Sequence, residues 1–255
     1  MPDKIVLKLN NNNYFLREAF RVLRTNILFC GPDIKTIVIT SPHMNEGKTS
    51  VSLQLAASLA ELGKRVLIMD TDMRKSVMAG RDSNAKKIMG TSNKVMGLSE
   101  VLTDQCSLSD VVYPTQIDKL NVIFAGQFPP NPAELLSGQR FAKLIEVVRK
   151  AYDYVIIDTP PLGMVVDAAV VAAQCDGAAI LLGGSAHAPQ VQEVADMLRK
   201  SGCSLLGVIL NRVGKSADRY ERYGRYGKYG RYGKDGRYGR YYTTYGHNPT
   251  DQSKN

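Results

Sequence analysis

At 255 residues and 44% hydrophobic composition, the chain can bury one α/β core and still carry a tail. Its four cysteines (Cys30, Cys106, Cys175, Cys203) are far apart and form no CxxC pair, which argues against a zinc or disulfide framework and for a reducing cytosol. Net charge is +9, but +6 of it falls between Lys215 and Asn255, so the basic character belongs to the tail and not to a groove on the body.

Residues 1–13 are an N-terminal segment whose MPDKIVLKLNNNN lacks the apolar stretch of a secretion signal. YFLREAFRVLRTNILF (14–29) predicts an amphipathic helix. Leu16, Phe20, Leu23 and Ile27 make its apolar stripe, Glu18 and Arg21 lie on the other side, and Arg24 sits at the flank. Strand and helix then alternate. TIVIT (36–40) is a buried strand, 47–62 a helix stopping near Gly63, and RVLIMD (65–70) a strand. Residues 73–96 are polar and irregular and predict a mobile loop. GLSEVL and SLSDVV predict two short helices, LNVIFAG (120–126) a strand, and 131–152 one long helix with Pro132 in its first turn. YVIID (154–158), GAAILLG (177–183) and LLGVILN (205–211) are further strands, with helices near 166–175 and 189–201. Continuous apolar strands separated by helices predict a mostly parallel sheet with helices on both faces, spanning 14–213. No segment approaches the roughly 20 apolar residues of a membrane helix.

From 214 to 255 the character changes. Nine of the 13 tyrosines fall here: Tyr220, Tyr223, Tyr226, Tyr229, Tyr232, Tyr238, Tyr241, Tyr242 and Tyr245. From Tyr223 the unit is Tyr-Gly-Arg/Lys with period three, and Asp235 replaces one tyrosine. Glycine at every third position and charge beside each ring cannot build a core, so the segment predicts a disordered tail that presents its phenols.

Three segments carry chemistry. SPHMNEGKTS (41–50) follows a strand and opens a helix, the setting of a phosphate loop and hence of a P-loop NTPase. Asn45, Glu46, Gly47, Lys48, Thr49 and Ser50 would surround ATP phosphates, with Lys48 on the β/γ-phosphates and Thr49 on Mg²⁺. Pro42 stands where the first glycine of that loop is usual. Alone, a GKT at a helix start is weak. VLIMDTDMR (66–74) ends a strand with Asp70 and Asp72, which face the same way if the strand continues, and VIIDTPP (155–161) ends another strand with Asp158. One aspartate ending a strand is commonplace; three beside a GKT loop predict a Mg·ATP site at the carboxyl edge of an open sheet. Asn211 and Arg212, just after the last strand, are placed for adenine by position only.

The combination resembles the bacterial tyrosine kinases of capsule and exopolysaccharide systems, through EAFRVLRTNI, the GKTS loop, VLIMDTDMR, VIIDTPP, GQFPPNPAELL (126–136) and the tyrosine cluster. The resemblance implies an autokinase that phosphorylates its own tail in trans. Asp70 helps activate the phenol, and Asp72, Asp158 and Thr49 hold Mg²⁺; which aspartate is the base stays open. It implies a homo-oligomeric ring contacting through Glu18, Arg21 and Arg24. It also implies a membrane adaptor that recruits a cytoplasmic kinase to the inner face of the membrane, and a tyrosine phosphatase. The sequence departs from the family at Met44-Asn45, where Pro-Gly is common, and in KSVMAGRDSNAKK (75–87), which lacks the usual proline and histidine. The division-site and plasmid-partition ATPases are also similar, but their second lysine, five residues before the loop lysine, is His43 here. A switch ATPase, or a tail that stacks on single-stranded nucleic acid or coats an anionic surface, are the alternatives, and no specific nucleic acid is expected.

Overall fold

The computed structural model describes residues 4–7, 9, 13–76, 78, 95–183 and 188–212. The tail with its nine tyrosines, and most of the 73–96 loop, lie outside the described residues. Seven strands form one sheet: β1 (Thr36–Thr40), β2 (Val66–Asp70), β3 (Tyr113–Pro114), β4 (Leu120–Ile123), β5 (Tyr154–Asp158), β6 (Gly177–Leu182) and β7 (Ser204–Leu210). Their order is β3-β4-β2-β5-β1-β6-β7, parallel throughout except for β3 against β4. β1, β2 and β5 are buried along their whole length, because sheet neighbours and helices cover both faces. β7 is the exception: as an edge strand it leaves Val208 and Leu210 exposed.

The helices are α1 (Tyr14–Phe29), α2 (Lys48–Glu61), α3 (Leu98–Leu102), α4 (Leu108–Val111), α5 (Pro132–Ser137), α6 (Gln139–Ala151), α7 (Asp167–Ala172) and α8 (Ala188–Lys200). Two apolar clusters sandwich the sheet. One packs the α5–α8 side around Phe141, Leu144, Val171 and Leu198. The other packs α1 and α2 around Ile27, Leu53, Leu55 and Leu59.

Two sequence expectations change, and two features of the fold leave no sequence signal. The long helix 131–152 breaks into α5 and α6, because Gly138 takes extended geometry (φ −75°, ψ 158°) at the junction. Strand 120–126 ends at Ile123. β3 carries too few residues to leave a periodic signal. The N-terminal segment is also part of the fold: Ile5 is fully buried and bridges to Thr115, and the Gln116 side chain bonds Leu7 at both its N–H (2.9 Å) and its carbonyl (2.8 Å).

Candidate active site

All strands but β3 run the same way, so the chain segments following β1, β2 and β5 emerge on one edge of the sheet. Between β1 and α2 the chain folds into a loop with Asn45 and Gly47 left-handed (φ 62° and 99°). Gly47 has no room for a side chain, since a Cβ would sit 2.4 Å from the Asn211 amide nitrogen. No side chain caps the N-terminus of α2, which leaves its first amides directed at the loop for an anion. Buried Glu46 fastens the loop from beneath. It accepts from the His43 and Gly183 amides, both at 3.3 Å, while its carbonyl accepts from Asn211 at 2.8 Å. Glu46 and Asn211 thus hold the loop's shape.

Lys48 is buried and donates to Ser41 Oγ at 2.9 Å. Burial lowers its pKa, and Asp158, Asp72 and Glu46 push it back up, so three carboxylates surround one ammonium. Beneath lie Asp70 and Asp158, paired in register on adjacent strands and only 1% and 2% exposed. Asp158 accepts from Ser52 Oγ at 3.2 Å and from the Thr49 hydroxyl. Asp70 accepts from Ser76 Oγ at 2.6 Å and from the Asp72 amide at 2.9 Å. Desolvation raises the Asp158 pKa to about 6, against hydrogen bonds from Thr49 and Ser52 and the Lys48 charge. Desolvation first and the Asp158 charge second drive Asp70 well above the ordinary carboxylate range.

Both carboxyls therefore hold a proton more tightly folded than unfolded. Their stabilising contribution is complete below the unfolded range near pH 4 and is lost as pH rises through about 6 for Asp158 and higher for Asp70. Urea unfolding of the nucleotide-free domain is expected to show lower stability at pH 8 than at pH 5 by upwards of about 1 kcal/mol. The difference should shrink in Asp158→Asn; an unchanged pH dependence in that variant would contradict the assignment.

Asp72 does not continue the strand. Thr71 makes the last ladder bond, amide to Asp158 carbonyl, and the chain then turns, with the Asp72 amide donating to Asp70 Oδ1 and the Met73 amide to the Thr71 carbonyl (2.9 Å each). The i, i+2 expectation for Asp70 and Asp72 thus gives way to a lateral pair, Asp70 with Asp158, and to a half-exposed Asp72 beside Lys48. The described residues contain no group of three His, Cys, Asp or Glu side chains able to hold a metal. Thr49 and Asp158 in contact, with Asp72 near, suit a divalent cation that arrives with phosphates as further ligands. A cavity of about 290 Å³ beside the loop is lined by Gly47, Ser50, Asn211 and Arg212, and also by Leu9, Leu16 and Phe20. The last three carry no motif, and only the docking of the N-terminal segment and α1 brings them here.

Of the expected contact helix, Glu18 and Arg21 form an exposed pair at 2.5 Å. Arg24 instead donates to the Ser58 carbonyl of α2 at 2.9 Å, so its loss would disturb the chain's own packing as well as any contact between subunits. Among the described residues no helix is long and apolar enough to cross a membrane.

Fold and loop together define a nucleotide-binding α/β domain that works with a divalent metal, and the family model described as an AAA domain matches residues 34–205. Within that class the chain belongs to the bacterial tyrosine-protein kinases. It is 41% identical over 204 residues to tyrosine-protein kinase CpsD of Streptococcus agalactiae, covering 80% of this chain and 86% of CpsD. It is 35% identical over 220 residues to tyrosine-protein kinase wzc of Salmonella typhi, covering 85% of this chain but 29% of that longer protein. The crystal structure of the chimerical protein CapA2B2 superimposes with a TM-score of 0.70 at 31% identity, covering 84% of this chain and 96% of that one. The septum site-determining protein MinD of Pyrococcus horikoshii, at 24% identity and a TM-score of 0.56, shares the fold alone.

Proposed function

We propose that this kinase transfers the γ-phosphoryl group of ATP to the phenols of Tyr220–Tyr245, in trans within a homo-oligomeric ring, and so regulates capsule or exopolysaccharide synthesis. The observation that carries the reading is the buried Asp70–Asp158 pair at the mouth of the phosphate loop, with Asp158 and Asp72 both acting on Lys48. The loop amides and Lys48 bind the phosphates and bear the charge that develops on them. Thr49 and Asp158 would hold Mg²⁺, which neutralises phosphate charge when bound. A phenol with a pKa of about 10 needs a proton acceptor at neutral pH. Asp70 is enclosed and has both oxygens hydrogen-bonded, whereas Asp72 reaches solvent. We therefore assign the acceptor role to Asp72 and give Asp70 the task of shaping the turn that carries it. Asn211 and Arg212 border the space for adenine. Glu18 and Arg21 serve the subunit contact, a membrane adaptor recruits and activates the kinase, and a tyrosine phosphatase resets the tail.

His43 argues against the partition-type switch reading. Its ring nitrogen is 3.0 Å from Gln190 Oε1 on α8, so the residue in the place of the second lysine is tied to its own chain.

Chain length alone does not force transfer between subunits. Tyr220 lies eight positions after Arg212, a stretch that can span up to about 28 Å when extended. Four strand spacings, from β7 to β2, amount to about 19 Å. The test is a mixture with Mg·ATP and an adaptor segment. Lys48→Met protein with an intact tail is combined with active protein truncated after residue 213, and the tail is mapped by mass spectrometry. Phosphates on Tyr220–Tyr245 of the Lys48→Met chain are expected. Modification of wild type but never of the mixture would establish transfer within one chain. ATP turnover with an unmodified wild-type tail would favour a switch ATPase.

A further inference from the structure

The turn between Asp70 and Ser76 is held from within by short-range bonds. The Asp72 amide donates to Asp70, the Lys75 amide donates to Asp72 Oδ1 at 3.0 Å, and the Met73 amide donates to the Thr71 carbonyl at 2.9 Å. Such bonds fix the local shape of a turn but not the direction in which it leans over the sheet edge. Thr71 on Asp158 and the buried Met73 seat the base of the turn, and its outer part is held by a contact 93 residues away in sequence. Arg74 places its guanidinium fork on Asp167, Nε to Oδ2 at 2.7 Å and Nη2 to Oδ1 at 3.1 Å. Asp167, the first residue of α7, is 0% exposed.

The far side of this fork is itself anchored to the phosphate loop. The Thr40 hydroxyl donates to the Pro160 carbonyl and accepts from the Leu162 amide, both at 3.1 Å. Gly163 lies so close to Pro42 that an added Cβ would be 2.3 Å from its carbonyl oxygen. Phosphate loop, 160–163 connection, Asp167, Arg74 and Asp72 thus form a closed bracket around the reaction site.

We propose that Arg74 is a positioning residue for phosphoryl transfer: its fork on Asp167 aims the 71–76 turn so that Asp72 faces the incoming phenol. This rests on the reading that Asp72 is the proton acceptor. Arg74 touches neither ATP nor phenol; it acts through Asp72. The planar fork, and not the positive charge, does the aiming, because a lysine offers a single ammonium that can pivot about one oxygen. The phosphate loop binds ATP through other atoms, so misaiming should lower turnover and spare nucleotide binding.

The test uses the full chain with Mg·ATP and a tyrosine-containing acceptor peptide. Arg74→Lys and the near-isosteric Asp167→Asn are each expected to lower kcat by roughly 10- to 100-fold, the loss a displacement of about 1 Å can cause. KM for ATP should stay within about 3-fold and thermal melting should show a folded domain. The double variant should be no worse than the poorer single, since both remove one and the same fork. Wild-type kcat in Arg74→Lys would overturn the proposal. So would losses that multiply in the double variant, or a raised KM with unchanged kcat. Asp72→Asn, run alongside, separates the two readings. If it leaves kcat intact, the proton-acceptor assignment itself fails; if it is inactive while Arg74→Lys is normal, only the positioning role fails.

Discussion

Replacing Lys48 by methionine is expected to remove phosphotyrosine from the tail while the domain remains folded. Lys48 sits at the first position of α2 with its ammonium buried and bonded to Ser41 Oγ. Burial already makes that charge costly, as its lowered pKa records, so an apolar side chain of similar length fits the same channel. The opposing effect is electrostatic. Asp158 loses the cation that favours its ionised form, and its pKa climbs further. The two effects partly cancel, and the melting temperature should move by only a few degrees, the shift of about 1 kcal/mol. Catalysis has no such compensation. The charge that meets the phosphates during transfer is gone, and removal of one such group commonly costs about 10²–10³ in turnover. Anti-phosphotyrosine detection with mass-spectrometric mapping, beside a melting curve, makes the comparison. Tail phosphorylation surviving in a folded Lys48→Met chain would remove the phosphate loop from the mechanism.

The sequence announces those parts of the site whose geometry is local. A buried strand, a GKT and a helix are contiguous, so the phosphate loop needs no tertiary information. Asp158 is visible for the same reason, at the end of an unbroken apolar strand. The pairing of Asp70 with Asp158 is not visible, because it depends on β5 lying next to β2 across 88 residues, and strand order is not written in periodicity. Asp72 leaves the strand because its amide bonds the Asp70 carboxylate, a local side-chain-to-backbone turn that strand periodicity does not show. Gly138 hides in the same way: the helical stripe runs straight through it, and only its extended ψ shows two helices. Leu9 and Phe20 read as ordinary apolar residues until the N-terminal segment docks along β3 and α1 covers α2. Arg74 and Asp167 each look like a solvated charge in one dimension. Burial of the aspartate makes them a pair.

Asp72→Asn is expected to lower kcat by roughly 10²–10⁴-fold, the contribution of a positioned proton acceptor, with stability changed by less than about 0.5 kcal/mol. Asp72 is half exposed, so its charge costs little to keep and little to lose. Asp70→Asn should separate the two properties in the opposite sense. The buried carboxyl there stands against Asp158, a like charge on the neighbouring strand, and its desolvation opposes ionisation at neutral pH. An amide of the same shape removes that opposition. Its oxygen can still accept from the Asp72 amide or from Ser76, so the turn keeps its internal bond. The nucleotide-free Asp70→Asn domain should therefore be more stable than wild type at pH 8 and closer to it at pH 5, where protonation already relieves the wild-type pair. Its turnover should fall less than that of Asp72→Asn, because the proton acceptor is still present. Urea unfolding at the two pH values and single-turnover phosphorylation of a tyrosine peptide, each on wild type and both variants, make the comparison. The reverse ranking, with Asp72→Asn active and Asp70→Asn inactive but stabilised, would move the proton acceptor to the enclosed carboxylate. The turn from Thr71 to Ser76 would then have to open before the phenol could reach it, and phosphorylation would report that opening instead of the chemistry.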